Sequence, residues 1–190
     1  MKPRLVLLVL MLTAVTAATA WRLVNPHERQ AVDAELLNSR PAPAIQLLDQ
    51  NNRPVQLRGY LGRHRVLIAF FDGRRGPDGD ATMQRLREVL PALKSAGVMV
   101  LGVSTPLAPD VKPQTLSYPF PVLRDTMAGS VESCSNRWGV CVSPPKSGRA
   151  AEIAPSLFLV ERDGLVAWQG EHPRPVSDAD GIISAILRGE

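Results

Sequence analysis

Hydrophobic residues in the middle of the chain follow two patterns, continuous apolar runs and a helical repeat. Residues 65–71 (RVLIAFF) and 98–104 (VMVLGVS) are apolar almost throughout, which predicts strands that are covered on both faces. Between them, apolar side chains recur at helical spacing: Met83, Leu86, Leu90 and Leu93. Asp80 fits the N-cap of this helix, and Gly97 fits its end. The segment therefore predicts a βαβ unit with parallel strands and a right-handed crossover.

Weaker patterns on either side of this unit predict the remaining elements. Residues 44–57 alternate around a Gln-Asn-Asn turn, and residues 155–170 join two apolar runs through Arg-Asp-Gly, so both stretches predict β-hairpins. Residues 120–125 predict a short strand, residues 126–138 a helix, and residues 178–188 the last helix. This order predicts an α/β fold of three layers, with a central mixed sheet, helices on both faces and an N-terminal hairpin as an extension.

The first twenty residues have the composition of an export segment. Lys2 and Arg4 precede sixteen residues without a charge, which end in the small-residue triplet Ala-Thr-Ala at 18–20. Two interpretations remain open, a signal peptide cleaved after Ala20 and an uncleaved membrane anchor. Both predict that the protein is exported, to the periplasm or the extracytoplasmic face of a membrane. The anchor alone predicts contact with the membrane.

The sequence divides into three parts with different expected structures. We expect residues 1–20 to be the export segment and residues 21–40 a linker that becomes helical at His27. Residues 41–190 form the folded domain. Within it, the polar stretch at 143–154 predicts irregular structure.

Composition and charge narrow the class of protein. The chain of 190 residues is 45% hydrophobic and 21% charged, which suits one globular core. Its net charge of +4 falls to +2 without Lys2 and Arg4, and the other basic residues are scattered without interleaved aromatic residues. This pattern predicts no nucleic-acid partner.

Six phrases in the folded domain together resemble a known family. They are PAI at 43–45, VLIAFF at 66–71, VLGVS at 100–104, FPVLRD at 120–125, WGV at 138–140 and PSLFLVERDG at 155–164. Their order and spacing resemble the thioredoxin fold in its peroxiredoxin-like form, the alkyl hydroperoxide reductase and thiol-specific antioxidant family. The resemblance covers residues 41–190 and implies a thioredoxin-like sandwich of three layers.

The resemblance also locates the family's chemistry in the loop at residues 70–80 (FFDGRRGPDGD). A peroxiredoxin carries Thr and then Cys there, and the helix N-terminus, backbone N–H groups and an Arg lower the pKa of the thiol. In this chain Gly76 stands in place of the Thr, and Asp78 or Gly79 in place of the Cys. Pro155 stands in place of the Arg. The resemblance therefore implies a peroxidase scaffold that lacks the peroxidatic cysteine.

Pro155 and Ser156 match the Pro-Thr pair that lies beside the active site in thioredoxin-like oxidoreductases. This match implies a cis peptide bond at Pro155 and a loop that faces residues 78–80. A proline that merely begins a strand is the alternative.

Charged residues of the loop at 70–80 are further candidate binding groups. Arg74 and Arg75 precede a helix N-terminus and could bind an anion, and a solvated loop is the alternative. Asp78 and Asp80 could form a carboxylate pair, although turn and N-cap roles explain them more simply. The spacing matches neither a phosphate loop nor a dinucleotide-binding motif, and the three histidines are scattered. We therefore expect no cofactor and no metal.

Cys134 and Cys141 are the only two cysteines. On a continuous helix their Cα atoms would lie about 10 Å apart, whereas a disulfide needs less than about 7 Å. A turn at Gly139 would bring them closer. Three interpretations remain open: a structural disulfide, which an oxidising compartment favours, a redox-active pair, and two separate buried thiols.

The sequence thus supports two hypotheses for function. In the first, an exported redoxin-family protein retains at most thiol-disulfide oxidoreductase chemistry, with Cys134 and Cys141 as the catalytic residues. In the second, the fold is a catalytically silent module that binds a protein or peptide partner near the Pro155 loop and residues 105–119.

Overall fold

A computed structural model describes residues 38–146 and 151–189. Its strands are β1 (Ser39–Pro41), β2 (Gln46–Leu48), β3 (Pro54–Gln56), β4 (Arg65–Phe71), β5 (Val98–Ser104), β6 (Val122–Arg124), β7 (Cys141–Ser143), β8 (Glu152–Ile153), β9 (Ser156–Val160), β10 (Leu165–Gln169) and β11 (His172–Pro173). Its helices are α1 (Ala81–Ser95), α2 (Cys134–Arg137) and α3 (Ala179–Arg188), and 3₁₀ turns lie at Leu57–Gly59, Pro77–Gly79 and Lys112–Ser117. The predicted export segment and most of the predicted linker lie outside the described residues.

The central sheet has six strands in the order β3-β2-β6-β5-β4-β9. β4 and β5 are parallel over their full length, from Arg65 opposite Val98 to Phe71 opposite Ser104, and β5 and β6 are also parallel. β2 pairs antiparallel with β3 and with β6, and β9 pairs antiparallel with β4. The predicted mixed sheet, its βαβ unit and the hairpin at 44–57 are confirmed.

Side chains of β4 alternate between two hydrophobic clusters on opposite faces of the sheet. Leu67, Ala69 and Phe71 pack in the cluster that contains the buried residues of α1 and α3. Val66, Ile68 and Phe70 pack in the other cluster, which contains Cys134 and Trp138 at the two ends of α2. The central sheet therefore lies between helices on both faces, as the pattern of elements predicts.

Local capping explains why α1 begins at Ala81. The Asp80 side chain accepts a hydrogen bond from the Met83 N–H at 3.0 Å, which satisfies one of the free donors of the first turn. Gly97 follows the end of the helix with φ +74°, a conformation that favours glycine. The four apolar residues predicted to face the core are all buried: Met83, Leu86, Leu90 and Leu93. The sequence pattern and the packing agree throughout this helix.

The prediction of a helix at residues 126–138 is mostly wrong, because only Cys134–Arg137 is helical. Gly129 has φ +88°, and a side chain there would meet Pro145, so the chain turns at this point. Ser133 then caps the short helix by accepting a hydrogen bond from the Asn136 N–H at 3.2 Å. These local turn and cap interactions replace the first two helical turns.

The hairpin predicted at residues 155–170 forms its turn but not its ladder. The Glu161 N–H donates to the Leu165 carbonyl at 2.8 Å, and Gly164 has φ +85°. However, β10 pairs antiparallel with β1 and β11 in a separate three-stranded sheet, while β9 pairs with β4. β9 and β10 thus pair with β4 and β1, which are distant in sequence, and these pairings override the local hairpin signal.

Two further expectations need correction. The stretch at 143–154 is not irregular throughout, since β8 pairs antiparallel with β7. The linker helix does not extend to residue 40, because β1 begins at Ser39 and pairs with β10. In both places a strand partner decides the backbone conformation, and that partner is not visible in the local sequence. Within residues 38–146 and 151–189, no helix is long and apolar enough to span a membrane.

Candidate functional site

A small cleft of about 150 Å³ lies at the beginning of α1, between the loop after β4 and the chain around β8. We call it the α1 cleft. Its walls are formed by Asp72, Arg74, Arg75, Gly79, Asp80, Glu152, Ile153 and Pro155. The structure thus brings together four of the predicted binding residues, namely Arg74, Arg75, Asp80 and Pro155.

The loop that forms one wall of the α1 cleft is held by the segment after β5. The Gly73 N–H donates to Thr105 Oγ1 at 3.0 Å, and the Ala108 N–H donates to the Gly73 carbonyl at 3.2 Å. A Cβ atom on Gly73 would lie 2.5 Å from the Thr105 carbonyl oxygen, so only glycine allows this approach. The loop therefore has a fixed path from β4 to the N-cap of α1.

Arg74 forms ion pairs across the α1 cleft. Its Nη2 lies 2.6 Å from Asp72 Oδ2 and 3.6 Å from Glu152 Oε1, and its Nε also donates to both oxygens of Asp72 at 3.0 and 3.1 Å. Burial acts to raise the pKa of Asp72, but the hydrogen bonds and charge of Arg74 outweigh it and lower that pKa. Because two carboxylates already neutralise Arg74, this arginine contributes little attraction for an added anion.

Asp78 and Asp80 do not share a site. Asp80 caps α1 and lines the α1 cleft. Asp78 Oδ1 instead accepts hydrogen bonds from the Tyr118 hydroxyl at 3.0 Å and from Arg87 Nη1 at 3.1 Å. The Arg87 guanidinium also lies over the Tyr118 ring, 5.1 Å from its centroid. Burial, followed by Asp78, raises the pKa of Tyr118. Asp78 therefore helps to hold the loop against Tyr118.

The prediction of a cis peptide bond at Pro155 is wrong, since the described residues contain only trans bonds. Trans is the favoured form for most X-Pro bonds, and Pro155 directly precedes β9 as a proline that begins a strand. Pro155 does line the α1 cleft with Gly79 and Asp80. The Ser156 hydroxyl donates to the Ala154 carbonyl at 3.0 Å, so its hydrogen bond is made within its own loop.

Both cysteines are free thiols in the structure. Cys134 is the first residue of α2 and is only 2% exposed. Cys141 is the first residue of β7, is partly exposed, and lies opposite Ile153 of β8. The turn predicted at Gly139 is present, with φ +68°. Cys141 thus lies one strand away from the wall of the α1 cleft.

The surroundings of the two cysteines disfavour thiolates. Burial, followed by the charge of Asp125, raises the pKa of Cys134 to about 12. The same two causes raise the pKa of Cys141. The buried Asp125 carboxylate accepts a hydrogen bond from the Ser135 N–H at 2.7 Å, which fixes it at the beginning of α2. Neither thiol has the lowered pKa of an activated nucleophile.

Sequence reasoning missed three residues that shape this region. Asp125 ends the predicted strand at 120–125, and polar residues at the carboxyl end of a parallel strand are a usable signal. Glu152 lies in β8, which the polar stretch around it concealed. Tyr118 shows no sequence signal, because its contact with Asp78 joins residues that are 40 positions apart.

Solved structures of peroxiredoxins match this fold. The peroxidoxin BcpB from Mycobacterium tuberculosis has a TM-score of 0.60 and 17% identity, and the match covers 80% of this chain and 96% of that protein. Peroxiredoxin Q from Xanthomonas campestris has a TM-score of 0.55 and 23% identity, covering 76% of this chain and 91% of that protein. At these identities the matches show the thioredoxin-like fold alone.

Sequence comparison identifies the family. Alkyl hydroperoxide reductase E from Mycobacterium tuberculosis is 28% identical over 141 residues, which are 72% of this chain and 87% of the reductase, and the Mycobacterium bovis protein matches equally. The family model of the AhpC/TSA family matches residues 39–169. The match includes the loop at 70–80 and both cysteines, so the resemblance read from the sequence is confirmed. This chain belongs to the AhpC/TSA family.

Proposed function

We propose that this protein is an exported binding module with a redoxin fold, whose α1 cleft binds a protein or peptide partner and does not reduce peroxides. One observation carries the proposal. The ion pairs of Arg74 with Asp72 and Glu152 occupy the region where a peroxiredoxin holds its reactive thiol.

Peroxide reduction needs a thiolate to attack a peroxide oxygen, and a positive environment to stabilise that thiolate. The loop at 72–80 supplies carboxylates but no sulfur. Its Arg74 is neutralised by two carboxylates. Cys134 and Cys141 have raised pKa values, so both remain protonated at neutral pH. These features predict that the protein does not catalyse peroxide consumption above the background rate.

The size and charge of the α1 cleft favour a partner's side chain over a whole small molecule. Its volume of about 150 Å³ is below the roughly 300–1,000 Å³ of typical small-molecule sites. Arg75 is exposed at the cleft, and no described acidic side chain forms an ion pair with it. We therefore expect the partner to place an acidic side chain against Arg75.

Site-specific photocrosslinking in the native host tests this binding role. A benzophenone amino acid at position 155 lies in the α1 cleft and keeps Glu152, and the same probe at Arg63 lies before β4, at the other end of that strand. We expect one discrete adduct from position 155, none from position 63, and loss of the adduct when Arg75→Glu is added. Equal adducts from both positions, or an adduct indifferent to Arg75→Glu, would contradict the proposal.

Peroxide consumption by the full chain tests the absence of peroxidase chemistry. With thioredoxin as reductant, the wild type and a Cys134→Ser/Cys141→Ser variant should consume alkyl hydroperoxide at the same background rate. A kcat/KM of about 10⁴ M⁻¹ s⁻¹ or more that disappears in the double variant would show that a cysteine serves as the peroxidatic residue.

Thiol-disulfide exchange is a second candidate function, favoured by the position of Cys141 opposite Ile153 at the cleft wall. In this reaction the Cys141 thiolate attacks a substrate disulfide, and one substrate thiol leaves as a mixed disulfide forms. Cys134 then attacks the Cys141 sulfur, and the second substrate thiol leaves. Two protein thiols are thereby oxidised while one substrate disulfide is reduced, and an external dithiol must reduce the pair again.

Titration in glutathione redox buffers separates the two candidates. After alkylation and mass spectrometry, an exchange pair should be half oxidised between about −120 and −270 mV, the range of known oxidoreductases. The silent module predicts either no bridge between Cys134 and Cys141 or a bridge that resists reduction across this range. Each single Cys→Ser variant serves as the control for mixed disulfides with glutathione.

Export is the remaining part of the proposal, supported by Lys2, Arg4 and the uncharged run that follows them. Intact-mass measurement of the protein from fractionated cells tests it. A mature chain that begins at Trp21 in the periplasm indicates cleavage, and a chain that retains residues 1–20 in the membrane fraction indicates an anchor. A full-length chain confined to the cytosol would refute export.

A further inference from the structure

A second cleft, of about 240 Å³, lies on the far side of the Lys112–Ser117 turn and has no part in the α1 cleft. We call it the Arg124 cleft. It is lined by Gln50, Leu107, Pro109, Lys112, Pro113, Thr115, Leu116 and Arg124. Most of this wall is apolar, and the Leu116 side chain is 65% exposed there although it is large and hydrophobic. Exposed apolar walls of this kind are typical of a surface that is covered by a ligand.

Two cations at the Arg124 cleft lack acidic partners within residues 38–146 and 151–189. Among the residues that the structure describes, no carboxylate forms an ion pair with Lys112 or Arg124. Arg124 Nη2 donates to the Asn52 side-chain oxygen at 2.5 Å, but its buried Nε–H finds no hydrogen-bond partner in the described residues. Because this Nε–H is sealed from solvent, a ligand in the cleft would use the remaining N–H donors of the Arg124 guanidinium.

The framework around Arg124 is rigid. The Gln50 side chain donates to the Phe120 carbonyl at 3.1 Å and accepts from the Val122 N–H at 2.8 Å, so its amide joins the turn after β2 to β6. Arg124 itself lies opposite Leu48 in the pairing of β2 with β6. These two hydrogen bonds hold Gln50 in the wall of the cleft, and Arg124 and Lys112 are the charged groups that line it.

We propose that the Arg124 cleft binds a short alkyl carboxylate, whose carboxylate accepts hydrogen bonds from Arg124 and Lys112 while its chain packs against Leu107, Pro113 and Leu116. Arg geometry suits a carboxylate because its donors form a planar fork. The volume of about 240 Å³ lies below the roughly 300–1,000 Å³ of drug-sized sites, so only a ligand smaller than a drug fits. Hexanoate is a small ligand of this class, with a carboxylate at one end and an alkyl chain at the other. The site is independent of the cysteines and of the α1 cleft.

Titration of the full chain with sodium hexanoate tests the proposal, with methyl-labelled Leu107 and Leu116 as NMR probes. These probes report on the Arg124 cleft alone, so binding of hexanoate to the apolar export segment does not interfere. Acetate tests whether the alkyl chain is needed. Hexan-1-ol tests whether a charge is needed, and hexylammonium tests whether that charge must be negative. We expect saturable shifts with hexanoate, and binding at least about tenfold weaker for each of the other three compounds. Acetate loses the burial of the alkyl chain, whereas hexan-1-ol and hexylammonium lose the charged hydrogen-bond acceptor.

Variants locate the binding residues. Arg124→Gln should weaken hexanoate binding about tenfold or more, Lys112→Gln should weaken it less, and Arg63→Gln should leave it unchanged. Leu116→Ser should weaken hexanoate binding without creating affinity for acetate. Thermal melts that match the wild type confirm that each variant is folded. The proposal fails if the probes do not saturate, if hexylammonium binds as well as hexanoate, or if folded Arg124→Gln binds like the wild type.

Discussion

Cys141 lies directly opposite Ile153 in the antiparallel pairing of β7 with β8, and Ile153 forms part of the wall of the α1 cleft. Opposed residues of such a pair have side chains on the same face of the sheet. A sulfur atom is thus close to the region where the AhpC/TSA family carries out its chemistry. Burial and, after it, the charge of Asp125 raise the pKa of this sulfur and of Cys134, so proximity alone does not supply a nucleophile.

The two thiols should differ strongly in reactivity. At pH 7.5 the native chain should react with 5,5′-dithiobis(2-nitrobenzoic acid) at the partly exposed Cys141, because Cys134 is buried and has a pKa raised to about 12. A second equivalent should react only after unfolding in guanidinium. The Cys141→Ser variant should lose the native reaction. Equal rates for both thiols in the folded chain would contradict this picture.

Asp125→Asn should increase the reactivity of Cys141. Burial is the larger cause of the raised pKa of Cys141 and Asp125 the smaller, so removal of the carboxylate charge should lower this pKa part of the way towards its ordinary value. The Asn side chain can still accept a hydrogen bond from the Ser135 N–H. The pH profile of iodoacetamide alkylation should shift to lower pH, while Asp163→Asn, at an exposed turn, should not shift it. An unchanged profile would show that Asp125 does not influence the sulfur.

The protonation of Asp72 should make the thermal stability of the protein depend on pH in the acid range. Its pKa is lower in the folded chain than the ordinary value of 3.8, so its contribution is present above that value and is lost as the pH falls through the folded-state pKa. Asp72→Asn should therefore lower Tm slightly at pH 7, and this difference in Tm should shrink as the pH falls below 3.8. Because Arg74 is largely exposed, solvent screening should keep the effect small. A constant difference in Tm between pH 7 and pH 2 would rule out the titration of Asp72 as its cause.

The sequence predicted well those elements whose signal comes from residues close together in the chain. Met83, Leu86, Leu90 and Leu93 reveal their helix and its buried face because the signal repeats within one element. The pairing of β10 with β1, and the contact of Asp78 with Tyr118, join segments that are far apart in sequence, and no local pattern encodes them. The same limit applies to the α1 cleft, where the loop residues could be predicted but Glu152 could not.

Trp138 should be a large contributor to stability. Its ring is fully buried and packs against Phe70 and Phe158, with centroids 5.7 and 4.9 Å away. Trp138→Ala should reduce the free energy of unfolding by about 3–5 kcal/mol, as for other buried aromatic residues. Trp138→Phe should cost much less, because it keeps an aromatic ring and removes a buried Nε1–H that has no acceptor within the described chain.

Urea denaturation followed by far-UV circular dichroism measures both Trp138 variants, since tryptophan fluorescence changes with the substitution itself. Trp168→Ala is the matched control, because Trp168 is only partly buried and Arg40 lies over its ring at 5.5 Å. Its cost should be clearly smaller than that of Trp138→Ala. If Trp138→Phe destabilises as much as Trp138→Ala, then the indole N–H contributes a favourable interaction, and packing alone does not explain the role of this residue.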